Sequence, residues 1–208
     1  GAGVLLLSGS NTYTGLTTVS AGTIRLGASG GVTNTPLGTT ATGTTVSGAS
    51  SALDLNGFTL GTAEALTLSG ALATGALQNN SSASASYSGL ITLGAASTII
   101  SNYGDINITN TGNITGATFA LTIGCSGNGT LVSNLNTTSG TLTKNGLGMW
   151  TIGNGSTGTS TYTGSTSISA GTIKLGTAGN GTNTPFGTSA GGIAITSGAV
   201  LDLNGFTL

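Results

Sequence analysis

The string LDLNGFTL fills residues 53–60 and recurs letter for letter at residues 201–208. In it Leu53 and Leu55 alternate with Asp54, and Asn56-Gly57 follows at once. Alternation at a period of two puts both leucines on one face of an extended strand and the aspartate on the other. Asn-Gly is a turn dipeptide, because both residues tolerate positive φ. The string therefore reads as a short strand with an inward leucine pair, then a corner where Phe58 packs. The second copy reads the same way, with Leu201 and Leu203 inward, Asn204-Gly205 as the corner and Phe206 beside it. Asp54 and Asp202 read as outward scaffold residues that accept hydrogen bonds from turn amides.

Working outward, the same apolar-x-apolar unit recurs at Leu5/Leu7, Ile24/Leu26, Leu66/Leu68, Ile91/Leu93, Ile106/Ile108, Leu121/Ile123, Ile173/Leu175 and Ile193/Ile195. Gly, Asn or Ser-Gly closes most of these units, and Gly-Asn-Gly strings read as turns. No segment keeps an i, i+3, i+4 apolar pattern over three turns of helix. Cys125 continues the alternation of Leu121 and Ile123, so it is expected to be a small buried apolar residue, with no basic neighbour in sequence to activate it.

The two copies of LDLNGFTL lie 201 − 53 = 148 residues apart. Upstream, YTGLTTVSAGTIRLG from Tyr13 matches YTGSTSISAGTIKLG from Tyr162, and TNTPLGT from Thr33 matches TNTPFGT from Thr182, both at an offset of 149. One residue is lost between the blocks, near Ser50. The match reaches Gly1, which aligns with Gly146 and sets Trp150 on Leu5 and Ile152 on Leu7. Residues 1–60 thus repeat as 146–208, and 61–145 are the intervening part of one period. The chain is expected to be one continuous segment, 1–208, cut from a longer array.

Composition narrows the fold. Charged residues are 3% of the chain and aromatics 4%, with 39 glycines and 37% hydrophobic residues. A sandwich core usually needs more large side chains. Near-neutrality suits a stack in which like residues lie about 4.8 Å apart on successive rungs, where a like-charge ladder would be repulsive. We expect an all-β, parallel β-helix (a β-solenoid). With coils of roughly 20 residues it would have about ten coils and a length of about 50 Å.

The segment SNTYTGLTTVSAGTIRLG resembles the passenger-associated β-strand repeat of bacterial autotransporters. LTKNGLGMWTIGN, from Leu142, is similar to the leading half of that repeat, and SGAVLDLNGFTL resembles a strand that follows it. Leu16 and Ser165 replace the second glycine of the motif and Ser160 replaces its asparagine. The resemblance implies a right-handed parallel β-helix in an exported passenger, located outside the cell or on the bacterial outer surface.

Chemistry is sparse. The chain has no histidine, so the usual general base and metal ligand is missing. Its acids are Asp54, Glu64, Asp105 and Asp202. Asp54 and Glu64 are the close pair in sequence, but Asp54 and Asp202 are one repeat position twice, which favours a scaffold role. Arg25 and Lys174 repeat as a basic outward position that limits lateral sheet pairing. Trp150 falls on an apolar dyad position and reads as core. Tyr13 and Tyr162 read as turn or packing residues, while Tyr87 and Tyr103 are ligand candidates. No calcium-binding or phosphate-binding motif is present. We expect no cofactor, no metal and no catalysis.

The function expected is a structural repeat segment: an adhesin shaft, stalk or extracellular filament. Its partners would be neighbouring repeats, head-to-tail copies of itself, or surface glycans. A net charge of −1 gives no basic stripe for nucleic acid, and no apolar run approaches a membrane span. The alternatives are a ligand-binding solenoid, glycan-binding or ice-binding, and then a polysaccharide-active β-helix.

Overall fold

The computed structural model describes residues 1–70, 75–153 and 159–208. The Gly-Asn-Gly string at 153–155 is therefore not wholly within the described residues. The described chain is all β, with short strands and no helix. Its strands stack in parallel into three sheets. The first sheet has nine strands: Val4–Leu7, Gly22–Leu26, Ser51–Asp54, Leu77–Asn79, Ser97–Ser101, Leu121–Gly124, Leu142–Asn145, Thr166–Ile168 and Ile193–Ile195. The second has six: Ala85–Tyr87, Ile106–Ile108, Gly129–Leu131, Met149–Ile152, Thr172–Leu175 and Val200–Asp202. The third also has six: Thr17–Val19, Thr44–Val46, Leu66–Leu68, Ile91–Leu93, Asn113–Thr115 and Asn134–Asn136.

This is a parallel β-solenoid of about eight turns. One inward column shows how it is built: Leu5, Ile24, Leu53, Leu77, Ile99, Ile123, Lys144, Ile168 and Ile195 are partners in successive rungs. Eight steps span 195 − 5 = 190 residues, about 24 per turn, instead of the 20 that would give ten coils. The longer turns hold an inserted hairpin. The step from Ile24 to Leu53 takes 29 residues and the step from Ile168 to Ile195 takes 27. Asn34–Thr35 pairs antiparallel with Gly38–Thr39 in the first, and Asn183–Thr184 with Gly187–Thr188 in the second. At ~4.8 Å per rung, eight steps rise about 38 Å.

The alternation dictates the core. Leu26, Leu53, Leu55, Leu68, Leu77, Ile106, Ile108, Ile123, Leu175 and their partners form one buried apolar cluster that runs through the stack. Trp150 lies fully buried in register with Gly129. A Cβ at Gly129 would lie 2.5 Å from the indole Cε2, so this glycine makes room for the ring.

The repeat does not return to the same face. In the first copy its strands alternate between the first and third sheets; the equivalent strands of the second copy lie in the second and first. Six rungs separate Val4–Leu7 from Leu142–Asn145, and the repeat restarts one face further on, at Met149–Ile152. The period is therefore about six and a third turns. In each copy the hairpin stands where a strand of the remaining face is missing.

Candidate functional site

The repeated string builds the same corner twice. Asn56 and Gly57 have φ of 51° and 80°, and Asn204 and Gly205 have 50° and 79°. Asp54 Oδ1 accepts the Asn56 amide at 3.0 Å, and Asp202 Oδ1 accepts that of Asn204 at 2.8 Å. The asparagine side chains reach back one turn, Asn56 Nδ2 donating to Leu26 O at 2.9 Å and Asn204 Nδ2 to Leu175 O at 3.0 Å. The short side chain of Asn satisfies the corner while tolerating left-handed φ.

Asp54 is fully buried, not outward in solvent. Arg25 Nε donates to its Oδ2 at 2.8 Å from the rung below. From the rung above, the Asn80 amide donates to Oδ1 at 3.1 Å and Asn80 Nδ2 to Oδ2 at 3.2 Å. The chain of contacts continues: Asn102 Nδ2 donates to Asn80 Oδ1 at 2.6 Å, and Cys125 Sγ lies 3.1 Å from Asn102 Oδ1. A polar ladder thus climbs one corner through Arg25, Asp54, Asn80, Asn102 and Cys125. Cys125 is a correction to the alternation reading. The strand ends at Gly124, Cys125 turns the chain with φ 85°, and its side chain is half-buried in the ladder, outside the apolar core.

Lys144 is a residue that sequence reasoning passed over. It occupies the inward column between Ile123 and Ile168 and is fully buried. Its Nζ donates to Asn145 O and Gly146 O at 2.7 Å and to Ala170 O at 3.1 Å, which uses all three ammonium donors. Burial lowers its pKa to about 8, and the nearby Cys125 opposes that shift. The sequence signal was there: Leu142-Thr143-Lys144 is an alternating dyad with a lysine in an apolar slot.

Glu64 is also buried. Its Oε2 accepts the Thr35 hydroxyl from the first hairpin at 3.1 Å, and its Oε1 accepts the Thr44 hydroxyl. Burial raises its pKa, and the two hydroxyl bonds work against the rise. Tyr87 is fully buried, its hydroxyl donating to Glu64 O at 2.7 Å, so it is not presented to a ligand. Burial, and then the Glu64 charge, push the Tyr87 phenol well up. Asp54 and Glu64, ten residues apart in sequence, are each enclosed by their own set of partners.

The remaining candidates are distributed along the stack. Ile24, Leu26, Leu53, Leu55, Ile173, Leu175 and Trp150 are buried; Leu201 is half-buried and Leu203 is 44% exposed in the last turn. Tyr103 is 71% exposed on a corner loop. Tyr162 is buried and Tyr13 partly exposed. Lys174 and Asp202 are register partners, as Arg25 and Asp54 are. On the third sheet Thr18, Thr45, Thr67 and Thr92, the outward middle residues of their strands, fall in one register column that continues to Thr115 at the end of its strand. The irregular sequence spacing of these threonines hid that column. Among the described residues, no three His, Cys, Asp or Glu side chains come together as metal ligands would.

A stack whose corner side chains Arg25, Asp54, Asn80 and Asn102 bond to the rungs above and below defines a class of repeat scaffold, extensible rung by rung. Residues 1–26 and 142–175 match the family model of the passenger-associated-transport-repeat. The chain thus carries this repeat twice, and the repeat suggests a segment of a passenger or surface protein. The family implies a secreted or surface location. No curated protein and no solved structure matches the chain.

Proposed function

We propose that this segment is a structural shaft, serving as an adhesin stalk or extracellular filament, and that it performs no catalysis. The observation that carries the reading is the unbroken register of the first sheet, which links nine rungs through one apolar cluster. Each turn is stabilised by its neighbours, so length can grow without a new fold. The polar ladder serves the same end. Arg25, Asp54, Asn80 and Asn102 bond from turn to turn, fixing register where apolar contacts alone would allow slippage. The winding is taken as right-handed, the sense that parallel crossover connections adopt.

The partners proposed are neighbouring repeats of the same chain and head-to-tail copies. Electron microscopy of the native surface material tests this. Rods or fibres that bind antibodies raised against the segment support it; globular particles of the same protein refute it. A second reading, ligand binding to glycan or ice, draws on the threonine column of the third sheet and on exposed Tyr103. A column one hydroxyl wide also serves plain rung-to-rung packing, as cross-strand threonine pairs do. Thermal hysteresis, or glycan binding lost on Tyr103→Ala, would favour that second reading.

A further inference from the structure

The first hairpin, residues 34–39, is held from below and from above by different means. From the turn below, the Asn11 amide donates to Thr35 O at 3.0 Å and Asn11 Nδ2 to Pro36 O at 2.8 Å, while the Thr39 amide donates to Tyr13 O at 3.0 Å. These bonds tie both arms and the tip, and make that side a hinge. From the turn above, among the described residues, the hairpin is reached by Glu64, whose Oε2 lies 3.1 Å from Thr35 Oγ1. Thr35, Leu37 and Glu64 are all buried, and Leu37 belongs to the apolar core.

A count of protons decides the state of that contact. Thr35 Oγ1 has one proton to give and two lone pairs. It accepts the Leu37 amide at 3.0 Å and donates to Gly38 O at 3.2 Å. The second hairpin closes the same way, with Thr184 Oγ1 to Gly187 O at 3.2 Å and the Phe186 amide to Thr184 Oγ1 at 3.0 Å. The hydroxyl proton therefore belongs to the hairpin's own turn, and Glu64 Oε2 meets the remaining lone pair of Thr35. A carboxylic acid fits: Oε2–H donates to Thr35 while Oε1 accepts the Thr44 hydroxyl. A carboxylate sets lone pair against lone pair in a buried site, or draws the Thr35 proton off Gly38 O and loosens the turn.

We propose that Glu64 is carried in the folded protein as the neutral acid and acts as a proton-operated latch on the hairpin. Protonated, it holds residues 34–39 against the core; ionised, it frees them to swing on the Asn11–Tyr13 hinge and uncover Leu37. The surroundings leave the latch to this one group. The hairpin strands and strand Thr44–Val46 carry no ionisable side chain, and strand Ala85–Tyr87 adds Tyr87, whose phenol stays neutral far above the range in question. Tyr13 packs on the hinge side of the hairpin. Burial raises the Glu64 pKa, against the two hydroxyl bonds. With the folded value above the unfolded one, the latch holds fully below the ordinary glutamate range and is lost as pH rises through the folded value. It concerns the hairpin alone and does not depend on the shaft reading.

Glu64 is the sole glutamate of the chain, so an isotope label on the glutamate δ-carbon gives one resonance that reports its charge directly. The intact chain is titrated beside the capped peptide GTAEALTLSG, and hydrogen exchange is followed at the Leu37 and Ile123 amides over the same range. The protein resonance should keep its acid shift where the peptide is already ionised. As it titrates, the protection factor of the Leu37 amide should fall about tenfold while that of Ile123, inside the first sheet, stays constant. Glu64→Gln, whose amide donates to Thr35 as the acid does, should hold Leu37 protection flat across the range. Titration of the protein together with the peptide overturns the neutral acid. Constant Leu37 protection in wild type, or Ile123 protection falling in step with it, overturns the latch.

Discussion

Replacing Lys144 by methionine tests whether a charge inside the core column is a cost the fold bears. The ammonium sits between Ile123 and Ile168, fully buried, with its pKa lowered from 10.5 to about 8. A drop of that size corresponds to about 3 kcal/mol of destabilisation at neutral pH, at 1.36 kcal/mol per unit. The sign follows from proton uptake. Between pH 8 and 10.5 the unfolded chain holds the proton and the folded chain has released it, so stability rises with pH through that window. From pH 7 to pH 9 the gain works out at about 1 kcal/mol. The same ammonium satisfies three carbonyl oxygens. The diagnostic is the slope of stability with pH, which a methionine at this position lacks. Urea unfolding can be followed by the fluorescence of Trp150, the sole tryptophan, six residues along the chain. Wild type should gain about 1 kcal/mol from pH 7 to 9 and Lys144→Met should gain none. Parallel behaviour of the two proteins would refute the reasoning.

Three further outcomes are expected. Asp54→Ala should cost about 3 kcal/mol, since it strands Arg25 and two donors of Asn80, while the same change at Asp202 should cost under about 1 kcal/mol; equal losses in urea unfolding would contradict the ladder. Glu64→Gln should flatten the pH dependence of stability. Wild type, with its carboxyl pKa raised by burial, is most stable below about pH 4.5 and loses stability as pH rises through the folded-state value, whereas the variant has no proton to lose. Gly129→Ala should destabilise by about 3 kcal/mol through collision with the Trp150 ring, and Gly129→Ala with Trp150→Leu should recover much of that; no recovery in the double variant would argue against the contact.

Much of the solenoid was legible because its rules are local. Leu53-Asp54-Leu55 announces a strand with one apolar face, Asn56-Gly57 announces the corner, and repetition at an offset of 148 announces a stack. Tyr87 and Tyr103 read alike as ligand candidates, yet Tyr103 is exposed and Tyr87 lies inside. Tyr87 ends a strand on its inward side, and Glu64, 23 residues earlier, supplies a carbonyl for its buried hydroxyl.

The sequence by itself determined the elements of this protein: short strands, most of their inward residues, the corner dipeptides and the repeat whose two copies match the passenger-associated-transport-repeat. Alternation and turn chemistry act over two to four residues, so they can be read from the chain directly. Only the tertiary structure decided how rungs meet. It set about 24 residues per turn, because hairpins lengthen some turns, and it moved the second copy of the repeat one face onward. It also enclosed Asp54 between Arg25 and Asn80, and gave Glu64 two hydroxyl partners. Those partners lie 20 to 29 residues away along the chain but one rung apart in space. Rung-to-rung contact follows from turn length, a sum over whole turns that no local pattern encodes.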